Sequence, residues 1–450
     1  MSTELPDPSQ AGQFHFIRHD FNPGSGELSL VYAFDNGPEL TERIVFPAIP
    51  ERLDQERLVA LDSAFYLLHL IAGISYYKAG LSKVLNIASR QPDKQLSDFL
   101  QQLYRNGLAE LAWQNQLSLK NRFSFCSDAK PLNPAPLGLV LPRRSLVALG
   151  GGKDSLVTVE WLKSAGLPFE LACVGHSQLI ADTADIAGLP LHRIDRTLAP
   201  EIHTYNRQGA WNGHVPVTAI NSAILVCAAL IYGFDSVIFS NERSASSANL
   251  TDKDGLDVNH QYSKSLEFEQ EFKKQIGRLV SPDLDYFSML RSFGELRVLQ
   301  EFSKFGQYHQ HFSSCNRNFH IDGPKTDGRW CGQCPKCQFA FMGLSLFLPA
   351  REVIAIFGQD LLSDEQQIPG YLALCGLDTP KPFECVGEIE ESRAAILKLA
   401  GADEFKEKAV IAALAPRLDP AMTPALESLL SRHGPDHVMP QLREKIRAFG

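Results

Sequence analysis

Ser145-Leu-Val-Ala-Leu-Gly-Gly-Gly-Lys-Asp-Ser155 is the stretch on which the reading of this chain turns. Residues 146–149 (Leu-Val-Ala-Leu) are apolar and β-prone. Three glycines follow, and Lys153-Asp-Ser155 then opens a helix-like run through Val159, Trp161 and Leu162. A strand that turns through glycines into a helix N-terminus aims several free backbone N–H groups, and the positive end of the helix dipole, at one point. That geometry holds phosphate. The spacing fits neither G-x-x-x-x-G-K-[ST] nor G-x-G-x-x-G, so this is not a Walker A or dinucleotide-binding loop. The plainer alternative is a βα turn whose glycines serve only close packing.

Outward from the loop, segment 143–345 alternates strands (146–149, 169–174, 191–194, 237–240, 287–290) with helices (155–165, 218–232, 266–279). That alternation predicts a parallel sheet covered on both faces. Ligands of such sheets sit over the carboxyl ends of the strands, so the residues just after each strand are the candidates. Upstream, residues 1–12 read as a disordered tail and 14–46 as β-structure, with turns at Asn22-Pro-Gly24 and Asp35-Asn-Gly-Pro38. Apolar residues at Leu58, Leu61, Phe65, Leu68 and Ala72 predict one helix, and a second is expected over 96–113. Prolines at 131, 134, 136 and 142 mark a linker. Three domains are therefore expected: an N-terminal α+β domain (1–142), a nucleotide-binding domain (143–345) and a mostly helical C-terminal region (346–450).

The net charge of −9, with charged residues at 21%, argues against a protein that grips a polyanion such as a nucleic acid. No run approaches the ~20 uninterrupted apolar residues of a membrane span, and the N-terminus lacks a signal-peptide layout. Nine cysteines, three of them clustered, suggest reduced thiols and a metal rather than a disulfide framework. A cytoplasmic enzyme without a membrane partner is expected.

Within the loop, Lys153 is placed to neutralise phosphate oxygens and Asp154 to hold Mg²⁺, with helix capping as the plainer role for Asp154. Cys173 and His176 follow the second strand as proton-transfer candidates. In the polar loop from Tyr205 to Thr218, Arg207, Asn212 and His214 are suited to bind carboxylate or phosphate. Asn241, Glu242 and Arg243 follow the fourth strand, and His260, Tyr262 and Lys264 form a further polar cluster. Cys331-x-x-Cys334-x-x-Cys337, with Cys315 upstream, has the composition of a tetrahedral zinc site. An Fe–S cluster or four bare thiols are the formal alternatives.

The glycine loop resembles the S-G-G-x-D-S signature of the PP-loop ATP pyrophosphatases, with Gly150 where that family usually has Ser. The resemblance implies a doubly wound parallel α/β sheet of the adenine-nucleotide alpha-hydrolase type, ATP as substrate, Gly150, Gly151, Gly152 and Ser155 against its phosphates, and AMP and pyrophosphate as products. The cysteine cluster is similar to the zinc element of PP-loop enzymes that make 7-cyano-7-deazaguanine. Those enzymes are compact, however, and here over 130 residues precede the loop and more than 100 follow the cysteines. A tRNA-modifying relative would be expected to show a basic face.

The whole-chain layout resembles the MurL-type epimerases instead. The resemblance rests on Leu68-His-Leu-Ile-Ala-Gly-Ile-Ser-Tyr-Tyr-Lys78, the loop at 148–155, Asn241-Glu-Arg-Ser244 and Trp330-Cys-Gly-Gln-Cys-Pro-Lys-Cys337, in that order. It implies ATP- and Mg²⁺-dependent conversion of the terminal L-Glu of UDP-N-acetylmuramoyl-L-alanyl-L-glutamate to D-Glu, in peptidoglycan precursor synthesis. Adenylating the α-carboxylate would remove a charge that opposes loss of the Cα proton. His176, His214, Glu242, His260 and Cys173 are the candidates for exchanging that proton. A nucleotide-binding sensor without turnover is the non-enzyme alternative.

Overall fold

Apolar and polar residues alternate at the start of the first strand. In Gln13–Asn22 (β1), Phe14 and Phe16 are buried while Gln13 is exposed. Glu27–Phe34 (β2) and Leu40–Val45 (β3) continue an antiparallel meander, and Val84–Ile87 (β4) pairs parallel to β1. The central strands are Ser145–Ala148 (β5), Phe169–Val174 (β6), Leu191–Thr197 (β7) and Ser236–Phe239 (β8). A two-stranded ribbon, Leu250–Thr251 (β9) with Asp257–Val258 (β10), precedes Asp285–Ser288 (β11). The computed structural model describes residues 5–50, 53–125, 132, 135, 138–315, 317 and 328–446.

These strands form one nine-stranded sheet in the order β11-β8-β5-β6-β7-β3-β2-β1-β4. Strands β11, β8, β5, β6 and β7 are mutually parallel. Numbered by their own sequence order they run 3-2-1-4-5 from β7 to β11, so strand order reverses between β5 and β8. The mixed α/β architecture with a large, mostly parallel sheet agrees with the expected alternation. Strands from before and after residue 142 share this one sheet. Antiparallel pairing of β3 with β7 (Arg43 with Thr197, Val45 with Asp195) joins the N-terminal strands to the central ones and covers what would be an open edge. The prolines at 131, 134 and 136 lie outside the described residues. Beside them, Ala135 N–H donates to the Arg278 carbonyl at 2.9 Å.

Both faces are covered. Leu146 of β5 and Val237 of β8 face a core built with Gln55–Ala72 (α1), Ile74–Tyr77 (α2), Lys94–Gly107 (α3), Ala109–Gln114 (α4), and later helices on the same side. Val147 and Ile238, one residue further on, face a second core built with Lys153–Ser164 (α5) and Gln178–Ala187 (α6). Glu201–Arg207 (α7), Val217–Tyr232 (α8) and Leu266–Gln275 (α9) add to the first core, and Glu295–Phe302 (α10) to the second. Among the described residues one helical stretch, Gln55–Tyr77, is long and apolar enough to cross a membrane, with mean hydropathy 1.7. Its apolar side chains are instead taken up by the first core, where α1 packs on α8.

Local details depart from expectation where tertiary contacts intervene. Residues 5–12 are ordered: Asp7 caps a single turn at Pro8–Gln10, and Pro8 is buried against Gly80. Residues 1–4 lie outside the described set. The helix expected over 96–113 breaks at Leu108 into α3 and α4. Past residue 345 the chain is mostly helical.

Candidate active site

A cavity of about 370 Å³ opens at the strand-order reversal, over the carboxyl ends of β5, β6 and β8. Its floor is the glycine loop. Gly151 has φ +70°, and an added Cβ would lie 2.3 Å from Leu179 Cδ2, so the left-handed turn requires glycine there. Gly150 and Gly152 line the cavity, and a Cβ on Gly150 would meet nothing within 4 Å. The backbone is thus laid bare toward the cavity, with space where side chains would stand. Helix α5 begins at Lys153 without a side-chain cap, which leaves its first N–H groups directed at the same space. Ser155 Oγ donates to Gly152 O at 3.0 Å and accepts from Gly150 N–H at 3.3 Å, which closes the loop on itself.

Lys153 is buried between two carboxylates, Asp154 at 2.8 Å and Glu295 at the start of α10. Burial alone would lower its pKa, but Asp154 and Glu295 outweigh it and keep the side chain an ammonium. The carboxyls themselves are over-supplied. Burial, with Glu391 and Asp154 nearby, raises Glu242, and burial with Asp154 and Glu242 raises Glu295 despite Lys153. Burial also lifts Glu391 to about 7. Buried carboxyls pushed toward protonation, with Lys153 the one cation paired to them among the described residues, suit a divalent cation carried with phosphate.

Arg291, 2% exposed, braces this wall. It donates to the carbonyls of Glu242 (2.9 Å) and Lys264 (2.7 Å) and pairs with Glu269 at 2.8 Å, tying together the two loops that face the cavity. Asn241 lines the cavity while its Nδ2 donates to Ser288 Oγ at 3.0 Å, spanning the ends of β8 and β11.

The far wall comes from the C-terminal part. Asn249 Nδ2 donates to Pro382 O at 3.0 Å, Ser247 Oγ donates to Glu388 Oε1 at 2.9 Å, and Arg243 pairs with Glu388 at 3.5 Å. These bonds fold residues 382–391 over the strand ends and bring Cys385 to the cavity. There Lys264 Nζ lies 3.2 Å from Cys385 Sγ.

A second cavity of about 350 Å³ adjoins the first and shares Thr218, Gln261, Lys264 and Cys385 with it. His214 and His260 line it, their rings 4.3 Å apart, and Glu110 of α4 reaches them from the N-terminal part. Glu110 Oε2 is 2.5 Å from His260 Nδ1 and 4.0 Å from His214 Nδ1. The shorter separation is a direct hydrogen bond, closer than neighbouring ligands stand around a metal. Burial and the charge of His260 lower His214 to about 4. For His260, burial works downward, but Cys385 and Glu110 prevail and raise it to about 9. Two adjacent imidazoles are thereby held in opposite states.

The expected residues divide accordingly. Gly150, Gly152, Lys153, Asp154, Ser155, Asn241, Glu242 and Lys264 line the first cavity, and His214 and His260 line the second. His176 does not join them: it is exposed and lies 2.6 Å from the Asp195 carboxylate, because Gly175 turns the chain outward after β6. Arg207 is exposed at the end of α7, bonded to Thr204 Oγ1 at 3.0 Å. Asn212 is taken up by the buried Lys78, 2.5 Å away. Arg243 points to Glu388, away from the cavity, and Tyr262 is buried beside Phe268. Cys173 borders the first cavity, but burial raises its thiol to about 11. Sequence reading missed Glu110, Glu295, Lys336 and Cys385. Glu295, just past β11, and Lys336, inside the quoted cysteine motif, had positions that could have flagged them.

Cys315, Cys331, Cys334 and Cys337 converge, all four sulfurs within 4.8 Å of one another. The Sγ–Sγ separations of 3.4 Å (Cys334–Cys337), 3.7 Å (Cys331–Cys337) and 4.0 Å (Cys315–Cys334) bracket the ~3.8 Å edge of a tetrahedron with ~2.3 Å Zn–S bonds. Backbone N–H groups of Gln333 and Cys334 point at Cys331 Sγ. The knuckle is a brace for the first cavity, since Ser313 and Ser314 beside Cys315, and Lys336 within the cluster, all line that cavity.

Two family models cover nearly the whole chain: the MurL N-terminal domain over residues 6–289 and the MurL C-terminal domain over 311–428. A UDP-N-acetyl-alpha-D-muramoyl-L-alanyl-L-glutamate epimerase from Xanthomonas oryzae pv. oryzae is 46% identical over 445 residues, 98% of each chain. Relatives of the same name from a Micromonospora species and from Salinispora tropica are each 37% identical, over 95% and 89% of this chain and 96% and 88% of their own. With both models matched in order and this identity sustained from end to end, the chain belongs to the MurL family.

Proposed function

We propose that this chain is an epimerase that converts the terminal L-Glu of UDP-N-acetylmuramoyl-L-alanyl-L-glutamate to D-Glu, an isomerase of peptidoglycan precursor synthesis. The observation that carries the reading is the end-to-end likeness to relatives named for that activity. The finer proposal is that the reaction consumes ATP, releasing AMP and pyrophosphate, on a PP-loop-type site in the cytoplasm. Its support is the bare glycine backbone at the strand-order reversal, ahead of an uncapped helix that carries Lys153.

In this reading the N–H groups from Gly151 to Ser155 and the Lys153 ammonium receive the triphosphate. Asp154, Glu242 and Glu295 would hold Mg²⁺, which when bound neutralises phosphate charge and steadies the leaving pyrophosphate. Cys315, Cys331, Cys334 and Cys337 would hold a structural Zn²⁺ that fixes Ser313, Ser314 and Lys336. Transfer of AMP to the glutamyl α-carboxylate replaces an anion by a neutral acyl group, so the Cα–H bond becomes more acidic. Each unit removed from its pKa is worth about 1.4 kcal/mol. Proton loss and return on opposite faces invert the centre, and water then releases the carboxylate.

Purified protein incubated in D₂O with ATP, Mg²⁺ and the L-Glu dipeptide nucleotide tests this. D-Glu, deuterium at Cα, and stoichiometric AMP and pyrophosphate are expected. Inversion that proceeds without ATP overturns the nucleotide step, and absence of inversion under all conditions overturns the epimerase. Pyrophosphate release driven by a deazaguanine precursor or a tRNA would favour those acceptors instead.

A further inference from the structure

We infer that Cys385 is a catalytic residue of the epimerisation, its sulfur taking the Cα proton at the junction of the two cavities. The inference rests on the adenylating-epimerase reading and assigns the proton step, which the glycine loop leaves open.

Geometry carries it. Among the described residues, Cys385 is the one thiol that borders both the nucleotide-loop cavity and the cavity of His214 and His260. A substrate whose carboxylate is activated at the loop keeps its Cα within one or two bonds of that carboxylate, so its proton must be met on this wall. The rest of the first cavity offers poorer choices. Lys153 is committed to Asp154 and Glu295, Glu242 accepts the Ser244 N–H, and the Cys173 thiol donates to Gly175 O at 3.7 Å. His176, an early candidate, lies outside the cavity.

Two lysines and a histidine gather around Cys385, with Asp154, Glu242 and Glu295 further along the same cavity. Lys264 Nζ stands 3.2 Å from Sγ, Lys336 lines the same cavity from the cysteine knuckle, and His260, bonded to Glu110, lines the second cavity beside Cys385. Burial alone would raise the thiol, but Lys264, Lys336 and His260 reverse that and hold it well below its ordinary value. The ammonium of Lys264 against the sulfur favours the thiolate, the form that acts as a base. In the step itself the Cα–H bond breaks and its electron pair moves into the acyl group of the activated glutamyl residue. The proton forms an S–H bond on Cys385. A solvent-exchangeable acid on the opposite face then returns a proton to Cα, the electron pair closes the new C–H bond, and the Cys385 thiol gives its proton up to its polar neighbours.

The test compares Cys385→Ala and Cys385→Ser with the unaltered enzyme, measuring Cα deuterium uptake in D₂O and pyrophosphate release on the same L-Glu and D-Glu dipeptide nucleotides. Expected is a loss of about 10²- to 10⁴-fold in exchange from at least one enantiomer, with pyrophosphate release falling far less. Exchange at the unaltered rate in both variants overturns the assignment. A variant that loses exchange and pyrophosphate release together, with a lowered melting temperature, shows a structural cysteine and also overturns it. As a second readout, iodoacetamide should alkylate Cys385 of the unaltered enzyme at pH 6, and the dipeptide nucleotide with ATP should protect it. No preferential labelling at that residue would overturn the thiolate. If the unaltered enzyme itself neither exchanges nor inverts, it is the underlying function that fails.

Discussion

The Arg196 guanidinium grips Glu42 at 2.7 Å across the antiparallel junction of β3 and β7, where Glu42 is 0% exposed. A second nitrogen of Arg196 bonds Ser75 Oγ at 3.0 Å. Breaking one side of a buried pair leaves the other charge unpaired, at a cost of about 3–5 kcal/mol. Arg196→Met should therefore lower the unfolding free energy by that amount in urea titration, whereas a double Arg196→Met, Glu42→Leu variant should recover most of it. Equal stability of the single variant and the unaltered protein would show that the junction is not held by this pair.

Lys153→Met removes the only cation in contact with Asp154 and Glu295 among the described residues. Loss of a preorganised charge at a reacting phosphate costs about 10²- to 10³-fold in rate. Pyrophosphate release should fall by at least about a hundredfold with circular dichroism unchanged, and near-normal turnover would remove Lys153 from the phosphate site.

The three loop glycines should not behave alike. Gly151→Ala places a Cβ in a left-handed residue, a strain of about 1–2 kcal/mol, and against Leu179. Its KM for ATP should rise several-fold or more. Gly150→Ser meets open space and should fold normally, with an equal or lower KM for ATP. A Gly150→Ser variant that fails to fold would contradict the described loop.

Zinc content gives an independent check on the cysteine knuckle. Elemental analysis should find about one zinc per chain, absent in Cys334→Ser, together with a loss of activity as Lys336 and Ser313 shift. A metal-free, fully active protein would leave the four thiols without that role.

His69 offers a pH-dependent term remote from the site. Its ring is 0% exposed, with Nε2 bonded to Val31 O at 3.1 Å and Nδ1 unpaired, and burial lowers its pKa to about 3. The folded value lies below the unfolded one of about 6.5, so the unfolded chain binds the extra proton and stability falls as pH drops below 6.5. At pH 5 the loss is about 2 kcal/mol. The stability difference between the unaltered protein and His69→Gln should shrink by that amount between pH 7.5 and pH 5, while parallel curves would mean that the ring is solvated.

What the sequence made legible was local chemistry. The glycine loop, the alternating strands and the cysteine spacing each follow from neighbours within a dozen positions, and each converged as expected. The partners of those groups come from far along the chain, and no local pattern encodes them. Glu110 meets His260 from 150 positions away, and Cys385 meets Lys264 from 121. Arg207 and His176 carry the right chemistry, but the chain turns them outward at α7 and Gly175. The join of β3 to β7 was invisible for a similar reason, since an edge strand reads the same whether or not a distant strand pairs with it.

Residues 382–391 finish the cavity that the glycine loop begins more than 200 positions earlier. A polypeptide that stops short of residue 382 would therefore hold the glycine loop but leave the cavity open and without Cys385. Synthesis from the N-terminus makes the loop well before the segment that closes over it, so the cavity is complete only once that segment has docked.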